Sequence, residues 1–220
     1  MDSIYLKIKE LNINAFKFLN QTFGKSHFDQ IAIFADKFGG PHIFHYHLLF
    51  IAIIASIMLY HKKDRKEDLK ELITLGTTAM LTLFVSIVLC LVLIADFLKD
   101  IVASERPYCF IDNIYTIKEV VSGTTCNRGF PSGHMTFSVI MITSFWPLLN
   151  QFFKTIAALT LTTIALSRIS SGVHLPLDIV GAVLITLPIT LYIRNKIEKL
   201  VRHYEKKWHL FDKLTAITFS

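Results

Sequence analysis

The chain has 220 residues, of which 52% are hydrophobic, with a mean hydropathy of +0.48 and a formal net charge of +6. A soluble domain needs more polar surface than this leaves, so the composition points to a single membrane domain. Its Lys and Arg residues gather beside apolar runs, a distribution that favours anionic lipid and control of topology over nucleic acid as the partner.

Residues 1 to 20 lack the basic cluster and continuous apolar core of a secretory signal. Ile4, Ile8, Leu11, Ala15, Phe18 and Leu19 recur at helical spacing between Lys7, Lys9, Glu10 and Lys17, which predicts an amphipathic helix in the membrane interface. A second apolar stretch, 31–38, ends at Gly39-Gly40-Pro41. Packing of both stretches on the membrane domain is the equal alternative.

Five membrane candidates follow, over 43–60, 72–95, 135–153, 152–167 and 176–193. About 20 residues are needed to cross the hydrocarbon core, so 72–95 and 135–153 suffice and 152–167 is short. The expected fold is all-α: a polytopic membrane helix bundle of about five transmembrane helices plus the interfacial N-terminal helix. The corresponding division is 1–42 as interfacial segment, 43–193 as membrane domain and 194–220 as basic cytoplasmic tail. Lys62, Lys63, Arg65, Lys66 and Lys70 crowd one loop, and the tail after 193 is also basic. The positive-inside rule places both in the cytoplasm, so the loops holding 96–134 and 167–175 fall together on the outer face. The same arithmetic puts the N-terminus outside, against which its lysines weigh.

Three blocks of titratable and hydrogen-bonding residues lie in those outer loops: Lys99 to Arg106-Pro107, Pro131-Ser132-Gly133-His134, and Ser167-Arg168 to His174 and Asp178. Singly each has an ordinary explanation. Lys99 and Arg106 suit headgroup anchors, Ser132 suits a helix cap, and His174 with Asp178 suits a polar pair at a helix start beside Pro176. Together they supply phosphoryl transfer. Lys99, Arg106 and Arg168 offer charge-assisted bonds to phosphate oxygens. The backbone N–H groups of Ser132, Gly133 and His134 would form an anion site at a helix start. Of two histidines, one attacks phosphorus and the other protonates the departing oxygen. Asp178, one helical turn beyond His174, would accept a ring proton and leave the second nitrogen free.

These blocks match, in order and internal spacing, the signature of the type 2 phosphatidic acid phosphatase superfamily: Lys, six residues, Arg-Pro; Pro-Ser-Gly-His; and Ser-Arg, five residues, His, three residues, Asp. The chain resembles that superfamily of membrane lipid phosphatases over residues 99 to 178, and in hydropathy over most of the rest. The resemblance implies that His174 is the nucleophile, oriented by Asp178 and carrying the phosphohistidine. It implies that His134 protonates the leaving group and then activates water, while Lys99, Arg106, Ser132, Gly133 and Arg168 hold the phosphate. It also implies a metal-independent enzyme without cofactors, and the outer loops show no carboxylate cluster suited to magnesium. Vanadium haloperoxidases share the signature but are soluble.

Cys90 reads as a buried small hydrophobe. Cys109 and Cys126 share the loop between the first two blocks, where they form a disulfide in an oxidising compartment or else remain two thiols. That loop, 108–130, also holds Arg128 and is long enough to contact substrate. His42, His45 and His47 have metal-like spacing but no carboxylate or cysteine beside them, which favours interfacial polar residues.

The expected protein is therefore an integral membrane phosphatase acting on the terminal phosphate of a lipid (di)phosphate, with undecaprenyl diphosphate the first choice. Its partners are that lipid and the phospholipid bilayer, with no obligate protein partner. Its expected place is a bacterial inner membrane with the site facing the periplasm or outside. Phosphatidic acid, lipid A and phosphatidylglycerol-phosphate are alternative substrates; a lipid phosphotransferase and a transporter with a polar pathway are alternative classes.

Overall fold

Apolar runs bounded by charged or glycine-rich breaks dictate a chain of helices. The structure, a computed structural model, describes residues 2–24, 26–40, 46–49, 51 and 66–218, and every regular element among them is helical. Helices α1 (Asp2–Phe23) and α2 (Ser26–Gly39) come first. Helix α3 (Lys66–Ser86) passes through a π-helical stretch, Ile87–Ala95, into α4 (Asp96–Val102). Two short helices, α5 (Pro107–Phe110) and α6 (Lys118–Val121), shape the following loop. Then come α7 (Gly133–Phe145), α8 (Gln151–Ser170) and α9 (Pro176–Thr218).

The expected all-α membrane bundle is found, with differences in its spans. Among the described residues, three helical stretches are long and apolar enough to cross a membrane: Leu69–Phe110, Gln151–Ser170 and Pro176–Lys207. The stretch expected as one helix over 135–153 is divided. Helix α7 has 13 residues, about 20 Å, and gives way at Trp146 to a 3-10 turn containing Pro147. Asn150 then caps α8, its side-chain oxygen accepting the Phe153 N–H at 3.0 Å. This cap starts α8 early, and the helix runs on through Arg168, so the expected short span is a full 20 residues. Of the candidate at 43–60, residues 46–49 and 51 are helical and the remainder lies outside the described residues.

No break separates the expected tail from the membrane domain. Helix α9 continues through residue 194 for 43 residues, roughly 65 Å, which exceeds the ~30 Å hydrocarbon core. Its far half is held by Arg202, which donates to Glu71 at 2.8 and 3.1 Å and to Glu198 at 3.0 Å. Lys66 and Lys70, expected in a loop, instead belong to α3.

Helix α9 packs mainly on α3 and α7. On α3 the buried positions Thr74, Thr78, Thr82 and Ser86 recur every fourth residue, and α9 buries Thr186 and Thr190. Small hydroxyl residues let membrane helices approach closely where burial of larger apolar groups gives little advantage over lipid. Next to the site, Met135, Val139, Ile169, Ile179 and Ala182 form a core into which α1 inserts Phe16.

That insertion bears on the N-terminal segment. Phe16 and Asn20 are buried, whereas Ile4, Ile8, Leu11 and Phe18 stay exposed along one stripe of α1. The helix thus docks on the bundle through one face and keeps an apolar stripe outward.

Candidate active site

All three sequence blocks meet at one end of the bundle, because each lies at a helix terminus facing the same way. Lys99 is in the last turn of α4, Arg106 precedes α5, Ser132 immediately precedes α7, Arg168 is near the end of α8, and Asp178 is in the first turn of α9.

Residues 171 to 175 place the nucleophile candidate. Gly172 adopts φ +79°, and a Cβ there would lie 3.0 Å from the Tyr115 carbonyl oxygen, so only glycine suits the turn. Leu175 and Asp178 then cap α9 reciprocally: the Asp178 N–H donates to the Leu175 carbonyl at 3.0 Å, and the Leu175 N–H to Asp178 Oδ2 at 2.9 Å. The same Oδ2 lies 3.5 Å from His174 Nδ1, an electrostatic pairing longer than a hydrogen bond. On the other side, Arg106 Nη1 is 3.2 Å from His174 Nε2. A guanidinium only donates, so Nε2 is the accepting nitrogen and the ring proton belongs on Nδ1, toward Asp178. His174 is 2% exposed. Burial, followed by the Arg106 and Arg168 cations and His134, holds its pKa well below 6.5, with a Gly129 backbone bond opposing weakly. The imidazole is therefore neutral at neutral pH, the state a nucleophile requires.

Arg106 is less available than the sequence suggests. It donates from Nε to the Thr125 carbonyl at 2.9 Å, from Nη1 to Val173 at 3.2 Å and from Nη2 to Arg128 at 3.0 Å. Its fork gathers the loop around His174, and only Nη1 reaches the His174 ring. Cys109 and Cys126 are joined in a disulfide across that loop, and the Arg106 N–H donates to the Cys126 carbonyl at 2.8 Å. Arg128 pairs with Asp96 at 3.1 Å and with Asp100, and Lys99 pairs with Asp96 at 3.3 Å.

The start of α7 differs in one detail from expectation. The Ser132 N–H is taken by the main-chain carbonyl of Asp178, which leaves Gly133 and His134 as the backbone donors of that turn. The Ser132 side chain caps nothing, although it is fully buried. Among the described residues, Ser132 Oγ and Arg168 Nε are two of several buried side-chain atoms with no hydrogen-bond partner. Such groups are costly unless something binds them, and both can donate to an anion. A Cβ at Gly133 would lie 3.5 Å from Lys99 Nζ, so the ammonium stands close beside that backbone.

Two residues outside the blocks join the site. Asp36 of α2 places Oδ1 3.2 Å from His134 Nε2 and hydrogen-bonds Arg168 Nη1. Asn20 of α1 donates from Nδ2 to the Ser170 and Tyr115 carbonyls at 2.9 and 3.0 Å and accepts the Tyr115 N–H at 2.9 Å. Their signal in the sequence was a polar residue within an apolar helical stretch, Asp36 inside 31–38 above all. Of the three spaced histidines, His42 and His45 lie outside the described residues, and the His47 ring packs against Phe38 and Phe137.

The chain is similar in fold to the crystal structure of Aquifex aeolicus LpxE, with a TM-score of 0.62 and 22% identity over 83% of this chain and 94% of that one. A transmembrane PAP2 type phosphatidylglycerolphosphate phosphatase from Bacillus subtilis aligns at a TM-score of 0.47 and 17% identity, over 93% of this chain and 95% of that one. No curated protein sequence matches the chain. The sequence model of the PAP2 superfamily matches residues 79–202, a span that contains all three blocks, and the chain belongs to that superfamily of phosphatases.

Proposed function

We propose that this integral membrane protein is a lipid phosphate phosphatase that works through a phosphohistidine at His174. The observation that carries the reading is a buried neutral His174 set between Asp178 and Arg106, with Ser132 Oγ and Arg168 Nε unpartnered nearby. In the first step His174 Nε2 bonds to phosphorus, the bond from phosphorus to the lipid oxygen breaks, and His134 gives that oxygen a proton. In the second, His134 takes a proton from water, whose oxygen bonds to phosphorus as the bond to His174 breaks. Lys99, Arg168, Ser132 and the Gly133 N–H hold the phosphate oxygens, and Arg106 Nη1 turns from Nε2 to the arriving anion.

The substrate of first choice is a polyprenyl diphosphate such as undecaprenyl diphosphate, a preference supported by the compact chain and its N-terminal helices. Phosphatidic acid, lipid A and phosphatidylglycerol-phosphate follow. The site belongs on the outer face of a bacterial inner membrane, supported by the basic residues gathered at the opposite end and by a disulfide suited to an oxidising compartment. No metal is required in this scheme.

The test is inorganic phosphate release by the purified protein in detergent with EDTA, across these lipids, beside His174→Ala. Release from one lipid, lost in the variant, identifies the substrate class. Transfer to a lipid acceptor in place of release makes the protein a phosphotransferase, and no turnover of any lipid overturns the reading.

A further inference from the structure

Asp36 stands outside the three blocks, on a stretch expected either to lie in the membrane interface or to pack on the membrane domain, and it touches two of their residues. Its Oδ1 is shared between Arg168 Nη1 and His134 Nε2. Arg168 is 2% exposed, and a cation buried that deeply requires an opposite charge beside it. Asp36 supplies it from one side only, so Arg168 Nε remains unpartnered for an anion. The same carboxylate oxygen lies 3.2 Å from His134 Nε2, an electrostatic contact that favours a proton on that nitrogen. Helix α2 is itself fixed nearby: a Cβ at Gly39, one turn beyond Asp36, would lie 3.0 Å from the Ile164 side chain, one turn before Arg168. The carboxylate is therefore held by a close helix contact and not by a free loop.

We propose that Asp36 is a positioning residue of the active site, which fixes the His134 ring and the Arg168 guanidinium relative to each other and keeps His134 supplied with its proton. This rests on the phosphatase reading above. The site then contains two His–carboxylate pairs of opposite duty. His174 with Asp178 acts as nucleophile. His134 with Asp36 delivers a proton to the departing lipid oxygen and recovers one from water, while Asp36 stays ionised throughout. Among the described residues, the charged or titratable groups around His134 include Asp36 from α2, Arg168 from α8, His174 from the turn before α9, and Lys99 from α4, beside Gly133. Asp36 is the one anion among these four.

The test is kcat and KM against pH for wild type, Asp36→Asn and Asp36→Glu on the lipid that wild type hydrolyses, with melting in detergent as the control for folding. Asp36→Asn is expected to lower kcat by at least roughly tenfold with little change in KM. The alkaline limb of its kcat/KM profile should move down by about one pH unit, because a neutral amide no longer favours the protonated ring. Asp36→Glu, which keeps the charge, should restore the limb and part of kcat. A merely structural role would lower the melting temperature and leave the pH profile in place, which overturns the proposal while the phosphatase stands. A fall in KM with undiminished kcat also overturns it, since Asp36 would then be competing with phosphate for Arg168. If Asp36→Asn does not fold, an Asp36→Glu variant with wild-type kcat and pH limb supports the proposal, and a folded one with an unrestored limb overturns it. A wild type that releases no phosphate removes the phosphatase reading and this proposal together.

Discussion

The backbone N–H of Ser132 donates to the backbone carbonyl of Asp178 at 3.2 Å, tying the start of α7 to the start of α9. The proposed phosphate cradle and the carboxylate that orients the nucleophile are thus joined through main chain. Their spacing depends on what packs around that bond.

One such contact is the Phe130 ring against Gly181. A Cβ at Gly181 would meet Phe130 Cε2 at 2.2 Å, so Gly181→Ala must displace the ring next to Pro131 and Ser132. The expected cost is about 1–3 kcal/mol, with turnover reduced as the cradle shifts. Gly76→Ala, where an added Cβ would meet no atom of the described residues within 4 Å, is the contrast and should stabilise α3 by roughly 0.5–1 kcal/mol. Melting of both variants in detergent measures the difference.

Arg106→Lys should lose both loop and activity. An ammonium cannot reach the carbonyls of Thr125, Arg128 and Val173 together, and Arg106 is 8% exposed. At about 1–3 kcal/mol for a charged hydrogen bond left unmade, the variant should melt well below wild type and turn over substrate poorly even when folded. Retained turnover at a normal melting temperature would contradict the anchoring role.

The low pKa of His174 has a signature in stability. Unfolded, its imidazole titrates near 6.5; folded, it resists protonation until well below that value. Above pH 6.5 both states are neutral and the contribution is full, and as the pH falls below 6.5 only the unfolded chain gains the proton, so stability is lost. Wild type should therefore lose melting temperature more steeply than His174→Gln between about pH 7 and pH 5. Parallel curves would show that the native ring protonates normally.

Asn20→Ala should destabilise by about 1–3 kcal/mol, because it strips partners from the Tyr115 N–H and from buried carbonyls at the end of α8. Thermal melting reads the loss, and phosphate release should fall with it as the turn before His174 loosens. An unchanged melting temperature would mean that water replaces the amide.

The three blocks were legible because phosphoryl transfer requires particular side chains at fixed spacing, and the gaps to Arg106, His174 and Asp178 read out directly. The helical character of the chain was legible from hydropathy. Helix ends were less so: Pro147 and Asn150 divide a run that hydropathy alone leaves continuous, and the Asn150 cap starts α8 where composition shows no change. Nor could a local pattern show which face of α1 turns inward. Ile4, Ile8, Leu11 and Phe18 form the obvious apolar stripe, yet Phe16 and Asn20 are the buried pair, because docking is decided by Tyr115 and Ser170 far along the chain. Asp36 was hidden for the same reason, its partners being remote in sequence.

The Asn20 clamp also sets an order of assembly. Asn20 and Ser170 are separated by 150 positions, so a ribosome adds that many residues before the amide can meet its carbonyls. Helix α1 is synthesised well before the residues it docks against. Until α8 has been made α1 lacks that partner, and its outward stripe of Ile4, Ile8, Leu11 and Phe18 has the apolar character that suits a bilayer surface. The clamp between Asn20 and the end of α8 can therefore close only after α8 is complete.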